Sequence, residues 1–234
     1  MSVSAAPAAV SVRRRGPVTE VVLNRPERRN ALSGKAIAQL TGICRELADA
    51  EVGAVLLRGE QEFFCAGLDI TEFDAAHPPL EDWISAHHAL ADLDVPVVAC
   101  LQGGAINAGA ALALAADLIV AAESAYLQIM EASIGMVPTV NAAWLATRYP
   151  ASVGLQLALP GTRMFASDLH RLGVVAQVAP DATALQRARD LAARLAAFPG
   201  RAAARTKRVL RAAREHGTDF PSAVAAASTA GAAR

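Results

Sequence analysis

Apolar and polar positions along the chain alternate between two textures. Short, mainly apolar runs at 18–23, 54–57, 97–101 and 118–122 are bounded by turn residues and have the length of buried strands. Between them the spacing becomes helical. Ser33 reads as an N-cap for a helix from residue 34 to about 50, with Ile37, Leu40, Ile43, Cys44 and Leu47 on one face. Residues 83–93 read as a second helix, and the Ala/Leu-rich stretch after Ala108 as a third, ended by Asp117 as a cap or turn residue. A helix containing Trp144 and Leu145 follows Pro138, then a turn at Pro160-Gly161, a short helix capped by Ser167 and a late strand at 174–178. From Ala182 the pattern is helical and rich in Arg and Ala, broken at Pro199-Gly200 and at Pro221. Strands alternating with helices predict an α/β fold, and no internal repeat of fixed period is visible.

Composition narrows the function classes. The chain has 234 residues, 53% hydrophobic and 19% charged, enough for one substantial core with an appendage. Its 22 basic and 22 acidic residues cancel, which argues against nucleic acid or an anionic membrane as a partner. Three cysteines, at 44, 65 and 100, have no paired spacing, so a disulfide framework and a zinc ribbon are both disfavoured and a reducing cytoplasm is the expected compartment. The small apolar opening has no basic segment before it and reads as a flexible leader over 1–17 rather than a signal peptide. No apolar run has membrane-spanning length; the longest, at 105–122, is interrupted by Asn107 and Asp117. The expected organisation is an α/β core over 18–180 and a C-terminal helical region over 181–234. Residues 72–80, with Asp74, His77 and Pro78-Pro79, read as a mobile loop.

Two segments share one physical design. In Cys65-Ala66-Gly67-Leu68-Asp69 and in Asn107-Ala108-Gly109, an apolar strand runs into a turn of small residues that opens a helix or loop. Small residues let a ligand approach the backbone, and the first N–H groups of a helix have no internal acceptor. With the helix dipole behind them, they favour developing negative charge. Two such donors on one oxygen would form an oxyanion hole. The competing reading of either segment alone is tight helix–strand packing. A dinucleotide fingerprint is excluded at 103–109, because the G-x-G-x-x-G spacing is absent.

Together these segments resemble a known family. Leu23-Asn24-Arg25-Pro26-Glu27-Arg28-Arg29-Asn30-Ala31-Leu32-Ser33 is similar to the opening signature of the enoyl-CoA hydratase/isomerase, or crotonase, superfamily. Phe64 to Asp69 resembles its first oxyanion segment, Ala105 to Asp117 its second, and Glu131-Ala132-Ser133-Ile134-Gly135-Met136-Val137-Pro138 its catalytic-glutamate segment. Gly161 to Val178 resembles the stretch that follows. The likeness runs from about Val18 to Leu210 and is specific because the motifs occur in order at familiar spacings.

The resemblance implies a crotonase-like spiral of ββα units that binds an acyl-coenzyme A thioester. Backbone donors at Ala66 and Ala108 would hold the thioester oxygen, and Glu131 would be the acid/base. Ala31, Gly67, Leu68, Asp69 and Gly109 complete the implied substrate-binding set, with Asp69 also readable as a structural loop residue. Nearby arginines and the 28–31 backbone would clamp the coenzyme, which is part of the substrate, so no separate cofactor is implied. A homotrimer or hexamer is the implied assembly. The chain also departs from the pattern: hydratases of the family use two glutamates, and the first falls here on Ala111. One carboxylate suits moving a proton between carbons, which favours double-bond isomerisation over hydration. Asn107 and Ala108 stand where glycines are usual, as does Thr139-Val140-Asn141, and either the closing C-terminal helix is shortened or the pocket is left more open.

Other readings remain. Glu72, Asp74 or His77 could supply a second acid/base group, which would permit a hydratase with a substitute for the missing glutamate. A non-catalytic acyl-CoA binder is the rival of a different class, with retention of Glu131 as the feature against it. A Clp-type serine protease, which shares the wider fold, lacks the serine it would need near Asn107-Ala108-Gly109. His87-His88 has no partner at metal-ligand spacing, so no metal is assigned. Cys65 and Cys100 read as buried core.

Overall fold

The alternating textures correspond to a path that repeats in space. In the computed structural model, which describes residues 8–48, 50–73 and 80–232, the first half of the chain forms β1 (Val10–Arg15), β2 (Val18–Leu23), α1 (Gly34–Ala48), β3 (Ala54–Gly59), α2 (Leu80–Ala91), β4 (Val97–Leu101), β5 (Gly104–Ile106) and α3 (Ala108–Ala115). The second half forms β6 (Leu118–Ala122), β7 (Tyr126–Gln128), α4 (Thr139–Arg148), α5 (Ala151–Ala158), β8 (Met164–Phe165), α6 (Ala166–Arg171), β9 (Gln177–Ala179), α7 (Ala184–Ala196), α8 (Ala202–His216) and α9 (Phe220–Ala232). A six-stranded sheet runs β1-β2-β3-β4-β6-β9, parallel except where β1 meets β2.

After each of β2, β3, β4 and β6 the chain makes a short second stretch of extended backbone before its next helix. These second stretches pair with one another: Leu32 with Leu68, Cys65 with Ala105, and β5 with β7. The result is a spiral of strand, short strand and helix. Its turns begin at residues 18, 54, 97 and 118, so unevenly that no sequence period could betray them.

Burial explains why these strands read as apolar runs. Parallel strands are covered on both faces, and every residue of β2, β3 and β4 is buried. On one face pack Ile37, Leu40 and Cys44 of α1 with the apolar side chains of α2 and α3. Helix α7 covers the other, laying Ala188, Leu191 and Ala192 on Leu56, Val98, Cys100 and Val120. The C-terminal region therefore begins as a layer of the core itself. Within that second face Glu20 is fully buried, 2.6 Å from Arg15, 2.8 Å from Arg189 and 3.1 Å from Arg58. Asp117 is more than a helix cap: it accepts the Val97 N–H at 2.8 Å and meets Lys207 at 2.7 Å, tying α8 to the sheet.

Several expectations are corrected in detail. The leader was expected to run to residue 17, but Val10–Arg15 pairs along the whole of β2 as an edge strand. Its outward residues Arg13, Arg14 and Arg15 masked the pattern, as charge on an edge strand does. Ser33 does cap α1, accepting the Ala36 N–H at 3.1 Å. Ser167 does not cap α6, which starts a residue earlier behind Phe165. The late strand lies at Gln177–Ala179, while Val174 and Val175 are buried without being strand. The helical run is interrupted between α8 and α9, at residues 217–219, and Pro221 lies in the first turn of α9, a position that needs no N–H. The loop expected to be mobile falls largely at 74–79, so Asp74 and His77 lie outside the described residues.

Candidate active site

The first wall of the site is built by two loops. Arg29 and Asn30 both adopt left-handed backbone, with φ of 49° and 56°, and the Asn30 side chain holds that turn. Its Oδ1 accepts the Arg25 N–H at 3.0 Å, and its Nδ2 donates to the carbonyls of Glu60 and Phe63. Thus anchored, the loop lies beside residues 65–69. The Ala66 N–H donates to Arg29 O at 3.0 Å, Leu32 N–H to Gly67 O at 2.8 Å, and Asp69 N–H to Leu32 O at 2.9 Å.

Gly67, at φ 99°, breaks the usual alternation of the strand, so the Ala66 and Asp69 N–H groups both face the 29–32 loop. The Leu68 N–H between them turns to the opposite edge and has no acceptor among the described residues. Ala66, expected as a donor, is therefore spent within the fold. The open donor is that of Leu68. Ala31 is nearly buried and fully engaged: its N–H meets Arg28 O and its carbonyl accepts from Arg25.

Helix α3 supplies the second wall. Its N-terminus sits so close to Cys65 that a Cβ on Gly109 would come within 2.2 Å of Cys65 O. Only glycine fits there. A Cβ on Gly67 would lie 3.0 Å from Ile106 O and 3.8 Å from Ala108 N, which brings the two expected segments face to face. Asn107 precedes the helix at φ 49°, ψ −109°, with no side-chain cap on the first turn, so the Ala108 N–H is among the orphan donors of that helix end. Ala111 is fully buried in the core and offers the site nothing.

The third element is the single turn at Glu131–Ile134, which leads into α4. Glu131 is half-buried, and burial raises its pKa above the ordinary value, opposed by hydrogen bonds from its own backbone and from Asn141. Asn141 donates through Nδ2 to Glu131 Oε1 at 3.0 Å and to Asn107 O at 3.1 Å. Asn107 Oδ1 in turn accepts the Met130 N–H at 2.9 Å. Glu131 Oε2 and Asn141 Oδ1 are buried and receive no hydrogen bond among the described residues. In the sequence Asn107 and Asn141 stand out only as replacements for glycine. Their linking role had no local signal.

Other candidates have structural work. Asp69 accepts the Thr71 hydroxyl at 2.7 Å and the Thr71 N–H at 3.2 Å and lies 3.1 Å from Arg25. The Thr71 hydrogen bond, then Arg25, outweigh burial and hold its carboxyl below the usual range. Glu72 pairs with the same Arg25. His87 accepts the Trp144 indole N–H at 2.8 Å, and burial, aided by the neighbouring His88, pushes its pKa down to about 3. Cys65 is buried, which pushes its thiol up to about 12. No His, Cys, Asp or Glu cluster among the described residues could hold a metal ion, and none of their helices is long and apolar enough to cross a membrane.

Two converging backbone segments beside a half-buried carboxylate are what the sequence motifs implied, and the match to known proteins decides their origin. The sequence pattern of the enoyl-CoA hydratase/isomerase family covers residues 13–226. The chain belongs to that family. Its fold is the crotonase fold, and it is an acyl-CoA-processing enzyme of the hydratase and isomerase type. Among curated relatives, the 1,2-epoxyphenylacetyl-CoA isomerase of Escherichia coli K12 is 33% identical over 193 residues, spanning 78% of this chain and 74% of that protein. The carnitinyl-CoA dehydratase of Salmonella enteritidis PT4 is 34% identical over 209 residues, spanning 86% and 80%. The crystal structure of enoyl-CoA hydratase from Mycobacterium smegmatis superposes with a TM-score of 0.86 at 27% identity, covering 95% of this chain and 89% of that one.

Proposed function

We propose that this family member holds the thioester oxygen of an acyl-CoA between the Leu68 and Ala108 N–H groups and moves a proton with Glu131 alone, so that double-bond isomerisation is favoured over hydration. The observation that carries the reading is that the Leu68 and Ala108 N–H groups, which meet beside Gly67, have no acceptor among the described residues, close to a half-buried carboxyl whose Oε2 is likewise free of hydrogen bonds among them. In a Δ3-enoyl thioester, Glu131 takes a proton from the carbon next to the carbonyl. The released electron pair moves into the thioester, and the resulting dienolate oxygen is stabilised by the two donors, each worth about 2.7–4 kcal/mol in comparable sites. Glu131 then returns the proton to the γ carbon, and the double bond ends in conjugation with the carbonyl. Raised basicity suits a group that must accept and release a proton near neutral pH. Hydration would need a second group to orient water, and Ala111, where the family pattern would have it, carries none.

The test offers the purified protein Δ3-enoyl-CoA and crotonyl-CoA and follows both products together with solvent-deuterium incorporation next to the carbonyl. Isomerisation with exchange is expected, with slow or no hydration. Micromolar binding with neither turnover nor exchange would sink the reading and favour a pure acyl-CoA binder. The expected assembly is a homotrimer or hexamer, which solution mass measurement checks.

A further inference from the structure

Asn141 touches both halves of the site, although its place in the chain marks it only as a helix residue near Pro138. Its side chain is 2% exposed. Both neighbours of its polar end, Glu131 Oε1 and Asn107 O, are acceptors, so the amide nitrogen has to face them. The carbonyl of Asn107 belongs to the same peptide group as the Ala108 N–H. It receives a hydrogen bond from Asn141 at 3.1 Å and another from the Ala111 N–H at 3.1 Å. Since a trans peptide directs its C=O and N–H oppositely, fixing that carbonyl aims the N–H. Hydrogen bonds to the carbonyl also polarise the peptide, strengthening its donor end.

We propose that Asn141 is the positioning residue of this active site, one amide nitrogen that orients the acid/base carboxylate and the oxyanion-donating peptide at once. The inference rests on the reading of Glu131 and Ala108 given above. By engaging Oε1, Asn141 leaves Oε2, buried and free of hydrogen bonds among the described residues, as the oxygen that exchanges the proton. It thereby supplies the orientation that no side chain at Ala111 can give.

The test compares Asn141→Ala and the isosteric Asn141→Asp with the wild-type protein. Solvent exchange at the carbon next to the carbonyl, kcat and KM are measured across pH, and Glu131 is titrated directly by carboxyl carbon NMR, its signal assigned with Glu131→Gln. Both variants should lose about 10–100-fold in kcat, the effect of a displaced reacting group, with KM for the thioester little changed. The Glu131 midpoint should rise in Asn141→Ala, which loses a hydrogen bond that lowers it, and rise further in Asn141→Asp, which places a like charge beside it. A merely structural Asn141 would lower stability without moving that midpoint. Wild-type-like kcat, or an unmoved midpoint in a folded variant, overturns the proposal. If Asn141→Ala does not fold, the isosteric Asp variant decides. Absence of exchange in the wild-type protein would defeat the reading of Glu131 as base, while the titration still reports on Asn141.

Discussion

Glu20 and Glu131 are the same residue in two opposite environments. Glu20 is fully buried on the far face of the sheet, yet it meets Arg15, Arg58 and Arg189. Burial alone would raise its pKa, but the hydrogen bonds and charges of Arg189 and Arg58 outweigh that and hold it below the ordinary value. Glu131 is less deeply buried, with the neutral amide of Asn141 as its side-chain hydrogen-bond partner among the described residues, and its pKa moves up. A carboxylate whose burial is compensated by guanidinium groups is part of the framework. One whose burial is left largely uncompensated is available to take a proton, which is why perturbed groups of the second kind gather at sites.

That contrast can be broken by exchanging each carboxyl for an amide. Glu131→Gln should lower turnover by about 10²–10⁴-fold, the range for a lost acid/base group, while binding of an unreactive acyl-CoA stays nearly intact. It should also raise the melting temperature at neutral pH. Burial lifts the folded-state pKa of Glu131, so its ionisation costs stability increasingly as pH climbs above the ordinary value of 4.5, and glutamine removes that cost. Glu20→Gln should do the reverse. It takes from Arg58, 4% exposed, one of two carboxylate partners, the other being Glu60 at 3.2 Å, and urea unfolding should show a loss of about 1.5–3 kcal/mol with unchanged turnover per folded molecule. If Glu20→Gln abolished turnover in folded protein, the division between framework and reactive carboxylates would fail.

A smaller effect sharpens the same division along the pH axis. With Glu131 as the proposed base, activity should fall as pH drops through its raised pKa, above 4.5. The stability that Glu20 contributes is present above 4.5 and is lost only as pH falls through its lowered pKa. The acid limb of kcat/KM should therefore lie at higher pH than acid unfolding followed by circular dichroism. Coincident limbs would mean that activity is lost through unfolding and not through Glu131. The smallest effect concerns the donors. Leu68→Ala keeps the backbone N–H and should stay far from the ~100-fold loss that removing an oxyanion donor brings, as initial rates would show.

Much of this was legible in the sequence. The strands β2, β4 and β6 and the start of α1 follow from local periodicity and capping, and the small residues around Gly67 and Gly109 marked where backbone comes close to backbone. Glu131 was found through its motif. What escaped depended on partners distant in the chain. Strand β1 hid behind three arginines, and β5, β7 and β8 are too short to carry a period. Ala66 and Leu68 are two residues apart, and nothing local says which of their N–H groups meets Arg29. Asn141 acts on Asn107, which lies 34 positions earlier.

The sequence by itself determined the family, the α/β architecture and the two small-residue segments that meet beside Gly67, because hydrophobic period, turn chemistry and motif order are properties of neighbouring residues. Only the tertiary structure decided that Arg29 takes the Ala66 N–H, that the Leu68 N–H is left without an acceptor among the described residues, and that one buried asparagine joins the Glu131 carboxyl to the peptide between Asn107 and Ala108. A hydrogen bond is directional and short, so which of two nearby groups makes it depends on how distant loops settle against each other.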